Sequence, residues 1–260
     1  MSQIEPEGVD AAQTDHQHYD RAPIVEAVIE VSVERTKPIA VAELAHVVHE
    51  DSAFKKRKDL VTATGKMTVG PSVSASATTS HVGFQYLRDD EKVVLHVRVD
   101  GFAVSRLAPY TDWEDLYQTF RRYWEIYSDV IMPDAVTQLG VRYVNRFDLP
   151  GRLVELSDYF RTYPEVSTDI EFPVNGFMTH LQIGQPDLEA MANVVLAAQP
   201  PAKDDHLSIL LDIGLTKQVR ISGDNETIHR FMSELRDRKN RLFEACIKPV
   251  ARELIRGDNS

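Results

Sequence analysis

The order in which strand-like and helix-like periodicities follow one another constrains this chain more than any other feature of its sequence. Residues 24–34 alternate apolar and polar side chains, which is typical of a half-buried strand. Residues 41–50 then place apolar residues at helical spacing, and a longer helical pattern covers residues 113–131. Three short strand-like segments lie between these helices, at residues 81–88, 92–99 and 101–107. The first half therefore predicts the order strand, helix, three strands, helix.

The same order starts again in the second half. A long alternating segment at residues 136–148 is followed by a short helical pattern at 156–163 and a long helix from about residue 225. Three strand-like segments lie between the helices, at residues 176–184, 189–198 and 206–214. We therefore predict an α+β protein made of two pseudo-repeated βαβββα modules with antiparallel sheets and a long C-terminal helix. Each module would form a helix-grip arrangement, and the pair would resemble the saddle of the TATA-binding protein.

The pattern also suggests how the chain divides. Residues 1–20 have no periodicity and few apolar groups, which predicts a disordered tail. The first module then covers residues 21–133 and the second covers 134–260, and the two can form one continuous domain. Residues 55–80 begin with four basic side chains and end in a Ser/Thr/Ala-rich stretch, so we expect a long loop or a mobile edge segment there.

Charge and composition limit the classes of function. The chain has 29 Lys and Arg against 40 Asp and Glu, a net charge of −11, which disfavours a general nucleic-acid or anionic-membrane surface. The single cysteine, Cys246, has no intramolecular partner, as is usual in a reducing compartment. No apolar run reaches the roughly 20 residues that span a bilayer, and the polar N-terminus does not resemble a signal peptide. We expect a cytoplasmic protein.

Motifs that carry chemistry are missing from the sequence. The spacings HExxH and CxxC do not occur, and the nine histidines are scattered, so we expect no metal site. The sequence also has no GxSxG, no GxxxxGK[ST] and no GxGxxG, so it predicts no cofactor and no P-loop nucleotide hydrolysis. Cys246 lies in an apolar helical stripe, which favours an inert buried thiol.

The candidate site comes from the first strand of each module. Glu26 and Glu30 share one face of the first, and Arg142 and Arg146 share one face of the second. If these strands pair, carboxylates and guanidiniums would meet across them. Two interpretations stay open: a charged ladder between the modules, or a pocket where the arginines bind an anionic group. Asn145, on the opposite face, either satisfies buried backbone groups or contacts the ligand.

Two segments resemble a known family. Residues 22–30 read APIVEAVIE and residues 139–146 read LGVRYVNR. They are similar to the "PPVVEAVIE"-like opening and the central "LRYINRI"-like strand of a sporadically distributed bacterial family of conserved hypothetical proteins. The segment with Tyr110 and Trp113 is similar to the family's linking segment, and the resemblance covers roughly residues 20 to 255.

The chain departs from the family pattern at two positions, with Ala22 where proline is common and Val144 where isoleucine is common. The resemblance implies no established activity. Sporadic distribution implies mobile genes, in defence or toxin–antitoxin settings.

Three functions follow as hypotheses from different classes. We expect a ligand-binding or protein-interaction module, a possible homodimer, whose partner is a small anionic ligand or a protein. The second hypothesis is an enzyme in which a glutamate of the candidate site is the general base and an arginine stabilises an anionic substrate. The third is a regulator that contacts nucleic acid. It would need the basic residues of 55–58 and 236–241 on one surface.

Overall fold

The computed structural model describes residues 19–49, 51–69, 73–151, 153–167, 169 and 175–257. Side chains are not described at residues 64, 66–69 and 73–77. The tail predicted for residues 1–20 lies outside the described residues up to residue 18. Tyr19, inside that predicted range, is buried, and its hydroxyl donates a 2.6 Å hydrogen bond to the Glu244 carboxylate. The ordered chain therefore begins no later than Tyr19.

Within these described residues, nine strands form one antiparallel sheet, which confirms the α+β class. In chain order they are β1 (Ile24–Glu34), β2 (Lys56–Val69), β3 (Val73–Leu87), β4 (Val93–Arg98), β5 (Gly101–Leu107), β6 (Ala135–Pro150), β7 (Met178–Gln185), β8 (Ala190–Gln199) and β9 (His206–Ile221). Across the sheet the order is β2-β3-β4-β5-β1-β6-β9-β8-β7. The sheet is open, with β1 and β6 near its centre and β2 and β7 at its edges.

The α-helices are α1 (Trp113–Ile131), α2 (Leu156–Tyr159), α3 (Asn225–Cys246) and α4 (Pro249–Ile255). Asp112 caps α1 as predicted, because its side chain accepts a hydrogen bond from the Asp115 amide at 2.8 Å. The long C-terminal helix is also confirmed, and α4 starts at Pro249, two residues beyond Ile247, the C-cap of α3. Among the described residues, no helix is long and apolar enough to cross a membrane.

The helices cover one face of the sheet and leave the other face uncovered. On β1 the alternate residues Ala27, Ile29 and Val31 are buried under the helices. The aromatic stripe of α1 contributes to this core, as predicted, with Phe120 and Tyr127 packed on Phe102 of β5. We call the opposite side the open face. Its central residues are partly buried or exposed: Glu26, Val28 and Glu30 on β1, Arg142 on β6, and Asp212 and Gly214 on β9.

For residues 55–80 we expected a long loop or a mobile edge segment; the loop is wrong, and the segment forms the edge strand β2 with the start of β3 beside it. β2 and β3 pair from Lys56 opposite Leu87 to Val69 opposite Val73. Residues 70–72 lie outside the described part of the chain. The segment has few large apolar side chains, so the alternation that indicates a half-buried strand is absent. Main-chain pairing with the neighbouring strand holds it instead.

A repeat of two modules is not evident in the structure. The first half contributes five strands and the second half four, and all nine belong to one sheet. β1 and β6 pair directly, from Ile24 opposite Asn145 to Glu34 opposite Ala135, so the halves do not form separate helix-grip units. The α-helix predicted at residues 41–50 is a short 3-10 helix, Val41–Val47.

Candidate functional site

The pairing of β1 with β6 brings the predicted site residues to the middle of the open face, but not as direct partners. Val28 lies opposite Arg142, and Glu30 lies opposite Gly140. The register thus sets each glutamate diagonally from Arg142. The charged ladder that we considered between the two strands does not form.

Arg142 is held by a carboxylate of another strand. Its Nε lies 2.9 Å from Oδ1 of Asp212 and its Nη2 lies 2.6 Å from Oδ2, a two-pronged ion pair between β6 and β9. The hydrogen bonding to Asp212 raises the pKa of Arg142, and the nearby Glu26 and Glu30 add to that rise. The protein itself therefore neutralises the charge that we expected to bind an anion.

Arg146 is also fully engaged. Its guanidinium donates to the Asp148 carboxylate at 3.1 Å, to the Ser208 hydroxyl at 3.0 Å and to the Pro200 carbonyl at 3.1 Å. These bonds connect β6 to β9 and to the loop before it. Arg146 is thus a structural link on the open face, apart from the pocket described below.

Asn145 lies on the helix-covered face and is buried. Its amide nitrogen donates to the Leu211 carbonyl at 3.0 Å, which satisfies a polar group inside the core. The structure therefore separates Asn145 from Glu26, Glu30 and Arg142.

Glu26 and Glu30 differ from the arginines because the structure shows no bonded partner for their carboxylates among the residues it describes. Both side chains are partly buried, yet neither forms a hydrogen bond or ion pair with any residue in the described part of the chain. Glu30 leans across β6, because a Cβ atom at Gly140 would come within 2.9 Å of its Cγ and Oε1 atoms. The absence of a side chain at Gly140 makes room for this carboxylate.

A cavity of about 170 Å³ opens beside Glu30 on the open face. Its floor includes Gly214, which lies between Arg142 on one neighbouring strand and Asn193 on the other. Since glycine has no side chain, the sheet has a depression at this position. The polar side chains around the depression are Glu30, Arg142, Asn193, Asp212 and Thr216. We call this the central pocket.

Asn193 is oriented by the edge strand β7. Nε2 of His180 lies 3.1 Å from Oδ1 of Asn193, and Nε2 of Gln182 donates to the same oxygen at 3.3 Å. The amide N–H groups of Asn193 stay available to a ligand. The central pocket thus offers a carboxylate acceptor on one side and neutral donors on the other.

Two of the predicted residues, Glu30 and Arg142, line the central pocket, and three of its polar residues were missed: Asn193, Asp212 and Thr216. One signal was present in the sequence, because Gly140 and Gly214 interrupt strand patterns and such glycines often mark close approach. The order β6-β9-β8, which brings these strands together, cannot be read from local periodicity.

Other chemical centres are not supported among the residues that the structure describes. They contain no group of three or more His, Cys, Asp and Glu side chains that could hold a metal ion. Cys246 is a free, buried thiol, and its burial raises its pKa to about 11. That is the behaviour of a packed thiol instead of a nucleophile.

Comparison with protein-family models and with curated proteins finds no match to this chain. The resemblance to the bacterial family of conserved hypothetical proteins therefore stays a prediction, and so does a cytoplasmic location. The geometry of the open face is therefore what indicates a function for this protein.

The unused carboxylate and the paired carboxylate should differ in their effect on stability. We expect Glu30→Gln to change the free energy of unfolding by less than about 0.5 kcal/mol, because no bond is lost. Asp212→Asn should lower it by about 1 kcal/mol, since a charge-assisted pair is lost. The loss stays small because the Arg142 side chain is 54% exposed and water can replace part of the bond. Urea unfolding of the two variants measures both effects. An equal loss in both would make Glu30 structural.

Proposed function

We propose that this protein binds a small polar molecule with a positively charged group in the central pocket. The observation that carries the proposal is the Glu30 carboxylate, which lines the cavity and has no protein partner among the described residues. A partly buried carboxylate without a partner loses hydration that a ligand cation can replace. Protonated amines and guanidiniums are such cations.

The charge of the open face supports a cation over the anion that the sequence suggested. Arg142 is paired with Asp212 and Arg146 with Asp148, so both guanidiniums are neutralised. Glu26 and Glu30 then leave an excess of negative charge beside the pocket. The net charge of −11 acts in the same direction at long range.

The size of the pocket narrows the ligand class further. Its volume, about 170 Å³, is well below the range of roughly 300–1,000 Å³ that is usual for drug-sized ligands. A simple amine or an amino acid fits this space better than a nucleotide does. With Asn193 and Thr216 as neutral donors opposite Glu30, an amino acid could place its ammonium and carboxylate groups on different walls.

Titration with defined probes tests the proposal. The probes are lysine, arginine and putrescine as cations, with phosphate and acetate as anions, followed by calorimetry and by the melting temperature. We expect at least one cationic probe to bind and Glu30→Gln to weaken it about tenfold, the equivalent of about 1.4 kcal/mol. Gly214→Ala should also weaken binding, because its methyl group occupies the floor of the pocket. Glu114→Gln, on α1, is the matched control and should bind as the native protein does.

Two outcomes would contradict the proposal. Phosphate or acetate binding that survives Glu30→Gln would restore the anionic ligand. Equal affinities of the native protein, Glu30→Gln and Gly214→Ala for a bound amine would place that amine elsewhere.

The enzyme hypothesis has support from the same carboxylate, since a general base must be accessible and unpaired. If the protein is an enzyme, a bound probe is also chemically converted to a product. Glu30→Gln would then remove turnover, and Gly214→Ala would change affinity and turnover together. Binding without conversion favours the non-enzymatic proposal.

The nucleic-acid hypothesis gains no support from the arrangement. Lys55 lies 2.7 Å from the Asp89 carboxylate, and Lys56 is paired with Glu91, on the β2 side of the sheet. The basic residues of α3 lie over β6 and β9, and Arg238 there is paired with Asp187. The two basic segments therefore do not share one surface.

A further inference from the structure

The edge strand β7 differs from ordinary sheet edges because nothing in the part of the chain that the structure describes protects it. Its eight residues, MTHLQIGQ, include no Asp, Glu, Lys, Arg or Pro. Apart from Gln185 and the partly buried Thr179, its side chains are exposed on both faces of the sheet. No strand in the described part of the chain pairs with its outer side. An edge of this kind offers unpaired N–H and C=O groups to another strand.

Four exposed apolar side chains of the second half lie at this edge. Leu181 and Ile183 are 41% and 38% exposed on the helix side of β7, at the rim of the region that α3 covers. Met178 of β7 and Met191 of β8 are 75% and 41% exposed near the ends of the same pair. Leu181 and Ile183 thus form an apolar strip on the helix side of an uncharged edge, and the two methionines lie on its open face.

The opposite edge of the sheet is protected in the usual way. β2 begins with Lys56, Arg57 and Lys58, and charged side chains on an edge strand discourage pairing with other chains. Only Val61 is a large exposed apolar residue among its described side chains. Charged side chains therefore disfavour pairing of another chain with β2, and β7 carries no such side chains.

We propose that β7 pairs antiparallel with β7 of a second copy of this chain, which extends the sheet across a two-fold axis. With the axis at Gln182, Leu181 of each copy lies opposite Ile183 of the other on the helix side. On the open face, Gln182 lies opposite Gln182 at the axis and His180 lies opposite Gly184, so no charged or apolar pair meets there. The strand is thus complementary to itself in both faces.

The absence of charge on β7 makes this edge the place where a second copy can approach. Two chains of net charge −11 repel each other over most of their surfaces, and a contact needs a segment without acidic residues. β7 provides such a segment, and Asp187 just beyond it is neutralised by Arg238. A basic partner would instead find no carboxylate on β7 to bind.

The strength of this dimer should be modest. A single pair of short strands buries less than the roughly 1,200–2,000 Å² of a standard interface, so we expect a dissociation constant in the micromolar range. Analytical ultracentrifugation of the full chain from about 1 to 300 µM should show a monomer that becomes a dimer. Leu181→Lys and Ile183→Lys should each raise the dissociation constant at least tenfold, because the new ammonium group would face an apolar side chain of the other copy. Val61→Lys, on the protected edge, is the matched control and should dimerise as the native chain does.

The outcomes separate cleanly. A native chain that stays monomeric at 300 µM overturns the proposal, and so does a dimer that Val61→Lys disrupts as strongly as the β7 variants do. Unchanged melting of the dilute Leu181→Lys protein shows that the fold survives, since that side chain is exposed. Glu30→Gln should dimerise normally, which keeps this test independent of the proposed ligand.

Discussion

Lys239→Met is expected to stabilise the protein by about 3–5 kcal/mol at pH 6. Lys239 lies on α3 and is buried against the sheet, with its Nζ atom 3.6 Å from the centre of the Tyr143 ring. Burial, together with repulsion from Arg236, lowers its pKa to about 7, and Asp237 opposes this only in part. Below pH 7 the folded protein must therefore hold a buried ammonium ion. Methionine fills similar space and carries no charge.

The effect should depend on pH in a defined direction. In the unfolded chain the lysine has its ordinary pKa of roughly 10.4, and in the folded chain the value is about 7. Between these values the unfolded state holds one more proton than the folded state, so the stability of the native protein rises with pH. The advantage of Lys239→Met should therefore shrink by about 2–3 kcal/mol between pH 6 and pH 9.

Chemical denaturation at several pH values measures this difference. Lys58→Met, at an exposed position on β2, is the matched control and should show no such trend. The tyrosines near the lysine do not interfere, because burial raises the pKa of Tyr110 to about 12 and holds the pKa of Tyr143 well above its usual value. An advantage that is the same at pH 6 and pH 9 would mean that Lys239 stays charged in the folded protein over this range, as it does in the unfolded chain.

Local patterns explain why much of the fold could be predicted from the sequence. β1 alternates because one of its faces packs under helices, and α1 repeats its aromatic residues because one stripe contacts β5. The cap at Asp112 is local chemistry as well. Such features report burial of a segment by itself. They do not report which segment lies beside it.

The failures follow from the same limit. β2 and the start of β3 are rich in small polar residues, so no apolar face distinguishes a strand from a loop. Two equal modules are also not evident, because β2 adds a fifth strand to the first half. Both features depend on which strands pair. Pairing is decided by contacts between segments that are distant in the sequence, and local periodicity does not report them.

The candidate site shows this limit most clearly. The alternation of side chains along β1 and β6 predicted that Glu30 and Arg142 share one face, and both line the central pocket. The sequence could not show that Asp212 would neutralise Arg142, because that depends on the register between β6 and β9. The sequence therefore predicted an anionic ligand, whereas the structure, in which Asp212 neutralises Arg142, favours a cationic one.

Gly83→Ala is expected to destabilise the protein by about 3 kcal/mol, whereas Gly214→Ala should not. A Cβ atom at Gly83 would overlap the Val97 carbonyl oxygen and lie 2.8 Å from the Cα of Arg98, both main-chain atoms of β4. Neither can move without shifting the β3–β4 pair. Gly83 also lies beside the irregularity in the pairing of β2 with β3, where the chains are already distorted.

Gly214 is a strand glycine with the opposite surroundings. A Cβ atom there would lie 3.7 Å from the Cβ and Cγ atoms of Arg142 and 3.9 Å from the Val141 carbonyl oxygen, all ordinary contact distances. Its replacement by alanine should leave the free energy of unfolding unchanged or raise it by about 0.4–1 kcal/mol, because the unfolded chain loses conformational freedom. Urea unfolding of the two variants compares them directly, and equal losses would contradict the geometry. If Gly214→Ala is as stable as the native protein but binds the cationic probe more weakly, the missing side chain at Gly214 serves the pocket and not the fold.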